Sequence, residues 1–294
     1  MRDYMVRAIG ADEQIRAFAV TGKELVETAR KAHNTSPIAT AALGRTMCGA
    51  LMMADMLKGD HDFLTLKIDG DGPMKNITVT ADNHGNVKGF VTNPAVILPP
   101  EENGHLNVPG GIGSGTLSVS RDLEDGQVYS SQVLLHSGEI ADDLTYYFAE
   151  SEQVPSSVGL GVLMNKDNTV REAGGFIIQL MPDTSEEVIQ HIEENLKHCG
   201  TVTDMLAAGK SPEQMLEAVL QGMDLHITGK EDVQFHCSCS RERVSRALLL
   251  LGRKELNGMI EDGEPITLHC HFCEKQYTFS LDELKDLAAQ TTAP

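Results

Sequence analysis

The chain has 294 residues and carries 43 Asp and Glu against 24 Lys and Arg, a formal net charge of -19. Such acidity argues against nucleic-acid binding, because phosphate recognition depends on basic side chains, and it disfavours an anionic membrane surface as well. Hydrophobic residues make up 41% of the chain but aromatic residues only 4%, so we expect an aliphatic, Met-rich core. The length suggests two or three domains.

No apolar run approaches the ~20 residues that a membrane-spanning helix needs. The first residues carry charges and no apolar stretch follows them, which argues against a secretory signal. We therefore expect a cytoplasmic protein in which the cysteines are kept reduced.

Residues 1–182 have the pattern of one mixed α+β core domain. Apolar spacing and helix-end residues predict helices over residues 24–33, 37–58 and 140–153. Alternating apolar positions predict strands over residues 63–68, 77–81, 87–91, 117–120, 128–135, 158–164 and 174–180. The glycine-rich residues 110–115 lack the features of a phosphate-binding loop and are expected to form a flexible loop. Asp142 and Asp143 are expected to be a solvated helix start.

Residues 183–236 form an acidic segment that we call the linker. A capping box is predicted at Thr184 and Glu187, a second short helix over residues 202–208, and a third helix after Ser211. The third helix carries an apolar stripe, which could bind other apolar surfaces if it were exposed: Met215, Leu216, Val219 and Leu220. Short helices depend on tertiary packing, so the sequence predicts a metastable helical linker.

Residues 237–294 hold four of the six cysteines, in two close pairs. The pairs are Cys237 with Cys239 and Cys270 with Cys273. In a reducing compartment such pairs are typical of metal ligands or redox groups, and four thiolates suit a tetrahedral Zn²⁺ with Zn–S bonds of ~2.3 Å. A metal-free dithiol pair is the alternative.

The remaining cysteines and the histidines near the cysteine pairs are not expected to be metal ligands. Cys48 lies in an apolar helix and is predicted to be buried, whereas Cys199 is expected to be a surface thiol. The histidines beside the pairs are expected to lie around the metal or in solvent: His236, His269 and His271. Ser240 and Ser280 are predicted helix caps, and residues 266–269 and 276–279 are predicted strands.

The metal would dominate the stability of this 58-residue C-terminal module. Structural zinc can contribute ~10–16 kcal/mol, against a net domain stability of ~5–15 kcal/mol. Losing the metal should therefore unfold the module and loosen the linker that precedes it. The exposed apolar stripe would then bind other exposed hydrophobic surfaces.

The sequence resembles the heat shock protein 33 family of redox-regulated holdase chaperones over nearly its whole length. The resemblance rests on the one-residue gap in Cys237-Ser-Cys239 followed by the two-residue gap in Cys270-His-Phe-Cys273, and all four cysteine positions match. Further matching motifs lie at residues 36–45, 69–73, 137–147, 151–156 and 173–175.

The resemblance implies an ATP-independent cytoplasmic chaperone that binds one Zn²⁺ per chain when reduced. It also implies that oxidant with mild heat forms the disulfides Cys237–Cys239 and Cys270–Cys273, releases zinc and unfolds the linker. The oxidised protein is expected to bind unfolding clients, often as a homodimer, and to pass them to ATP-dependent foldases.

Three other functions fit the cysteines less well. A thiol-disulfide oxidoreductase using Cys270 and Cys273 would need a thioredoxin-like βαβ pattern before them, and none is present. A zinc-ribbon nucleic-acid adaptor conflicts with the net charge of -19. A zinc hydrolase needs an open coordination position, which four thiolates do not leave. We therefore expect a protein that is not an enzyme.

Overall fold

The computed structural model describes residues 2–102 and 104–290, and it separates the chain into two compact units, Met1–His236 and Cys237–Pro294. The strands of the first unit are β1 (Tyr4–Gly10), β2 (Ile15–Thr21), β3 (Phe63–Gly70), β4 (Asn76–Asp82), β5 (Asn86–Val91), β6 (Gly115–Asp122), β7 (Val128–Leu134), β8 (Ser156–Met164), β9 (Val170–Leu180), β10 (His226–Asp232) and β11 (Gln234–Phe235). Its helices are α1 (Lys23–His33), α2 (Pro37–Ala54), α3 (Val108–Ile112), α4 (Ile140–Tyr147), α5 (Glu186–His198), α6 (Val202–Ala207) and α7 (Pro212–Val219), with a π-helical turn over Phe148–Glu152.

Two sheets form the frame of the first unit. The first sheet has the order β10-β1-β2-β9-β8 and the second has the order β11-β5-β4-β3-β6-β7. Successive strands of the second sheet pair as antiparallel neighbours, and only β11 joins it in parallel, beside β5. The fold class is therefore α+β, which confirms the prediction from the sequence.

Helix α2 lies between the two sheets and contacts strands of both. Ser36 caps it by accepting the Ala39 backbone N–H, and Pro37 occupies its first turn. Nearly every side chain of α2 is buried, which explains why the helix is apolar on all sides rather than amphipathic. At Gly44 an added Cβ would lie 2.8 Å from Val26, so a glycine permits this close packing.

The linker helices α5, α6 and α7 belong to the first unit and cover the opposite face of the first sheet. On β2, Phe18 and Val20 point to the core around α2, whereas Ile15, Ala17 and Ala19 point to the core under the linker helices. Both faces of this sheet are thus buried, and the second core depends on the linker remaining packed.

The second unit is small and has little apolar core. Its elements are α8 (Arg241–Leu251), α9 (Arg253–Glu261), β12 (Ile266–His269), β13 (Gln276–Phe279) and α10 (Leu281–Gln290). The two strands form an antiparallel pair by themselves. Among residues 237–290, the core holds seven buried residues: Leu248, Leu256, Tyr277, Phe279, Leu284, Leu287 and Ala288. Two-stranded sheets are marginally stable alone, so this unit needs additional stabilisation.

Several predicted element boundaries are wrong. Helix α2 ends at Ala54 rather than at residue 58, and the helix predicted over residues 140–153 changes to a π-helical turn after Tyr147. Part of the expected glycine-rich loop is the short helix α3. The helix α9 and the strands β1, β2, β10 and β11 were not predicted, so the linker is not entirely helical.

Two predicted side-chain roles also need correction. Thr184 does not cap α5: its hydroxyl donates to the carbonyl oxygens of Gln14 and Met181, and Ser185 holds the cap position without a side-chain cap. Asp143 is not solvated, since it is 1% exposed and accepts the backbone N–H groups of His136 and Ser137. Burial raises the pKa of the Asp143 carboxyl.

The three-segment division at residues 182 and 236 stays a prediction, because the linker packs within the first unit. Among the residues that the structure describes, no helix is long and apolar enough to cross a membrane.

Candidate metal centre

Cys237 and Cys239 lie in the extended segment immediately before α8. Ser240 caps that helix, as its sequence position predicts, by accepting the backbone N–H of Arg243 at 3.3 Å. The Arg243 guanidinium donates to the Ser238 hydroxyl at 2.6 Å. The start of the helix therefore holds the short segment that carries both thiols.

Cys270 and Cys273 lie in the turn that joins β12 to β13. The backbone N–H of Cys270 donates to the carbonyl of Lys275 at 3.0 Å, and the N–H of Cys273 donates to the carbonyl of Cys270 at 3.2 Å. Glu274 completes the turn with a φ of 57°, in the left-handed region. The strand pairing thus fixes the two-residue spacing of this pair.

The structure brings the four sulfur atoms together. The Sγ atoms of Cys237 and Cys270 are 3.7 Å apart, those of Cys239 and Cys273 are 3.4 Å apart, and all four lie within 4.8 Å of one another. A regular tetrahedron with Zn–S bonds of ~2.3 Å has sulfur atoms ~3.8 Å apart. The cluster therefore has the size that one zinc-sized ion requires.

The thiols of the cluster differ in how readily they ionise. Burial opposes ionisation of Cys239, but hydrogen bonds from Tyr277, at 3.1 Å, and from the neighbouring thiols outweigh it and lower its pKa to about 7. Burial raises the pKa values of Cys237 and Cys273, and the adjacent thiols raise them further. A bound cation would change this, because a coordinated thiol loses its proton.

The flanking histidines are not members of this cluster. Among the described residues, the group that can hold a metal ion consists of the four cysteines alone, and the three histidines are exposed. His269 instead lies 3.6 Å from the carboxylate of Glu274. The expectation that they would lie around the metal or in solvent is consistent with these positions.

The other two cysteines lie elsewhere. Cys48 is fully buried in α2, as predicted, and burial strongly raises the pKa of its thiol, so it should be unreactive. Cys199 lies at the C-terminal end of α5, half-buried, and burial raises its pKa as well. Neither environment is typical of a reactive thiol.

A metal held by four cysteines would be structural, because its coordination is complete. Cys270 and Cys273 lie in a turn between antiparallel strands, next to two further thiols, rather than at the start of a helix as in a thioredoxin-like site. The thiol-disulfide oxidoreductase alternative is therefore not favoured.

The predicted client-binding stripe lies on α7 and is covered. Its four residues are at most 1% exposed: Met215, Leu216, Val219 and Leu220. They belong to one apolar cluster with Val6, Ala17 and Ile178 of the first sheet. Any binding role for this stripe would require α7 to leave the sheet.

Two features of the site were not predicted from the sequence. The Tyr277 hydroxyl donates to the sulfur of Cys239, and Arg243 holds the loop between Cys237 and Cys239 through Ser238. Tyr277 lies four residues after Cys273, in the motif of the second pair, and this position could have indicated its contact with the cluster. The hydrogen bond from Arg243 to Ser238 depends on where α8 starts, and no sequence motif indicates it.

The fold and the thiol cluster together define a class of two-unit α+β protein with a four-cysteine cluster that could hold a metal ion. A family model described as "Hsp33 protein" matches residues 3–280. The chain belongs to the Hsp33 family, and the resemblance noted from the motifs is confirmed.

Individual relatives match over almost the full length. A protein named 33 kDa chaperonin from Agathobacter rectalis is 54% identical over 98% of this chain and 100% of its own. One of the same name from Bacillus subtilis is 46% identical over 99% of each chain. The crystal structure of the 33 kDa chaperonin, or heat shock protein 33 homolog, from Thermotoga maritima superposes with a TM-score of 0.91 at 36% identity, covering 98% of both chains.

Proposed function

We propose that this Hsp33-family chaperone is a redox-regulated, ATP-independent holdase that binds unfolding client proteins after oxidation. The observation that carries the proposal is the clustering of four sulfur atoms from two cysteine pairs, all within 4.8 Å. In the reduced state Cys237, Cys239, Cys270 and Cys273 would hold one Zn²⁺. The bound ion would link the start of the second unit to the turn between β12 and β13.

The small core of the second unit supports this role for the metal. Seven buried residues and one strand pair are little for a unit of this length. Structural zinc contributes ~10–16 kcal/mol, which is as large as the whole net stability of a typical domain. Losing the ion should therefore unfold residues 237–290.

Oxidation replaces this long-range link with two local ones. Each pair of zinc-bound thiolates, Cys237–Cys239 and Cys270–Cys273, would lose two electrons to one hydrogen peroxide, which takes up two protons from the solvent and is reduced to two waters. A disulfide that closes such a short loop contributes only about 2 kcal/mol. It does not join the start of the unit to the turn between β12 and β13, so oxidation would release the ion without replacing this link.

Disulfides between the two cysteine pairs are the alternative to the proposed disulfides within each pair. Two sulfur contacts run between the pairs, at 3.7 Å from Cys237 to Cys270 and at 3.4 Å from Cys239 to Cys273. Disulfides formed along these contacts would join the start of the unit to the turn between β12 and β13, as the metal would. Disulfide mapping by mass spectrometry after peroxide treatment distinguishes the two, and a predominance of the crossed pairs would contradict the proposal.

The linker supplies the client-binding surface in this proposal. Residues 183–236 end next to Cys237, so unfolding of the second unit removes the folded structure that follows β10 and β11. Detachment of α7 would expose its apolar stripe and the sheet face beneath it. Both surfaces are uncharged and suit exposed hydrophobic segments of a client.

The family membership and the sequence support the remaining parts of the proposal. We infer a cytoplasmic protein that dimerises when oxidised and passes clients to ATP-dependent foldases. The chain would act by binding rather than by catalysis.

Light scattering of a heat-denatured client tests the proposed function. The peroxide-treated, warmed protein should suppress aggregation, and the reduced, zinc-loaded protein should not. Cys199→Ser is the matched control, because this thiol lies outside the cluster, and it should behave as wild type in both states. Equal suppression by reduced and oxidised protein would contradict redox regulation, and catalytic reduction of insulin would revive the oxidoreductase alternative.

A further inference from the structure

A cavity of about 360 Å³ lies in the first unit, between the end of α2, the two sheets and the π-helical turn. Its apolar lining includes Met53, Met56 and Phe148. Arg16 of β2 and Gln179 of β9, which are directly opposite in the strand register, also line it. A mostly apolar cavity of this size with a few polar groups is typical of a small-molecule site.

Gln179 fixes the position of the Arg16 guanidinium. Its side-chain oxygen accepts Nε of Arg16 at 3.1 Å and Nη2 at 2.6 Å, while its amide nitrogen donates to Ser156 at 3.2 Å. Gln179 is 1% exposed and so has little freedom to move. The Arg16 side chain also lies over the ring of Phe18. The guanidinium is therefore held in place before any ligand arrives.

The charge of Arg16 is not compensated. Among residues 2–102 and 104–290, no carboxylate lies within ion-pair distance of Arg16, and its Nη1 donates to no group there. The remaining contact of Nη2 is with the sulfur of Met56 at 3.8 Å, a weak acceptor. Burial lowers the pKa of Arg16, which is the direction expected for a cation without a counter-charge.

The acidic groups around the cavity are already occupied. Glu152 pairs with Arg121 at 2.8 Å, and the Asp62 carboxylate accepts the backbone N–H groups of Gly59 and Glu124. Lys58 is exposed at the cavity and adds a second positive charge. In a chain with a net charge of -19, this cavity presents a free cationic group beside apolar walls.

We propose that this cavity binds a small amphipathic carboxylate, with the carboxylate on Arg16 and a short apolar chain against Met53, Met56 and Phe148. Nη1 donates to no described group, and a carboxylate that displaces the weak contact with Met56 would face N–H groups on both Nη1 and Nη2. The proposal is independent of the redox function, since it concerns the reduced, zinc-loaded chain.

Octanoate is the probe. Its binding is measured by NMR on the reduced, zinc-loaded full chain, labelled at the methionine methyl groups. The signals of Met53 and Met56 should shift in a saturable manner with octanoate, whereas octanol, which lacks the charge, and acetate, which lacks the chain, should bind at least roughly tenfold more weakly. Equal binding of octanol would overturn the proposal, as would saturable shifts confined to other methionines or none at all.

The variant Arg16→Gln should weaken octanoate binding by roughly tenfold or more, as expected for the loss of a charge-assisted hydrogen bond. The matched control is Arg171→Gln, at an exposed arginine of β9 that does not line the cavity, and it should bind like wild type. Wild-type affinity in Arg16→Gln would overturn the proposal. If Arg16→Gln does not fold, the comparison of octanoate with octanol on the wild-type chain decides.

Discussion

At the scale of single residues, each cysteine of the cluster should be essential for metal binding, because the centre has no spare ligand among the described residues. Cys270→Ser should lower zinc affinity by more than the ~10–100-fold typical of changes to groups around a metal site. The variant should leave residues 237–290 partly unfolded even when reduced. Zinc content and circular dichroism measure both effects.

Cys199→Ser is the control for this prediction and should retain one zinc per chain, since its thiol lies in the first unit. Wild-type zinc content in Cys270→Ser would show that the four sulfurs are not a single ligand set.

A second residue-scale prediction concerns the attachment of α7. Glu213 accepts the Tyr4 hydroxyl at 2.7 Å and Lys230 at 3.3 Å, which joins the linker helix to β1. Burial opposes ionisation of Glu213, but hydrogen bonds from Tyr4, Ser211 and Lys230 outweigh it and hold its pKa at about 2, below the ordinary value of 4.5. The stabilisation is therefore present above pH 4.5 and is lost as the pH falls towards 2.

Tyr4→Phe should weaken this attachment by about 1 kcal/mol at neutral pH, as for loss of one hydrogen bond. It should also flatten the dependence of unfolding free energy on pH below 4.5, measured by denaturant unfolding. Tyr129→Phe, at an exposed position on β7, is the matched control. An unchanged acid profile in Tyr4→Phe would contradict this role.

At the scale of elements, the linker helices differ in how firmly they are held. Helix α5 buries only Ile192 among its 13 residues, and a cavity of about 280 Å³ lies beside it. Helix α7 is shorter but has a complete capping box from Ser211 and Gln214 and four buried side chains. Burial of apolar area and helix caps both stabilise a helix against local opening.

Amide hydrogen exchange in the reduced protein should therefore be faster in α5 than in α7, by about tenfold or more for an opening difference of ~1.4 kcal/mol. Slower exchange in α5 would show that contacts other than side-chain burial hold the linker.

The packing of α7 allows a direct test of the covered stripe. Leu216→Ala should destabilise the first unit by about 2–5 kcal/mol, because the residue is fully buried. Ala218→Ser, on the partly buried side of the same helix, should have a much smaller effect. Thermal unfolding measures both, and equal effects would mean that the stripe is not what holds α7.

Some helices and strands could be predicted from the sequence, whereas others have no local sequence signal. Strands β12 and β13 and the cap at Ser240 match their predictions, because alternation and capping are local signals. The β1–β2 turn has no such signal: Ala11, Asp12 and Glu13 all adopt positive φ without a glycine. Both of its strands are buried on two faces, so no clear alternation marks them.

The candidate site was more predictable than the sheet order. Cysteine spacing alone brought Cys237, Cys239, Cys270 and Cys273 into one hypothesis, since metal ligands require particular short gaps. Burial of Asp143 had no comparable signal, because it depends on a loop that folds over the helix start.

At the scale of the whole molecule, the two units differ in what keeps them folded. The first unit has two cores and many long-range strand pairs, whereas the second unit has seven buried residues and one strand pair. The metal is expected to supply most of the stability of the second unit. Thiol oxidation should therefore unfold that unit while the strands around α2 persist.

The most direct test follows zinc release and amide exchange in the same sample during peroxide treatment with warming. We predict that zinc, detected with a chromogenic chelator, leaves at the rate at which residues 237–290 lose exchange protection, followed by the linker, while α2 stays protected. Retained protection of residues 237–290 after complete zinc release would contradict the account, and so would loss of protection before any zinc is released.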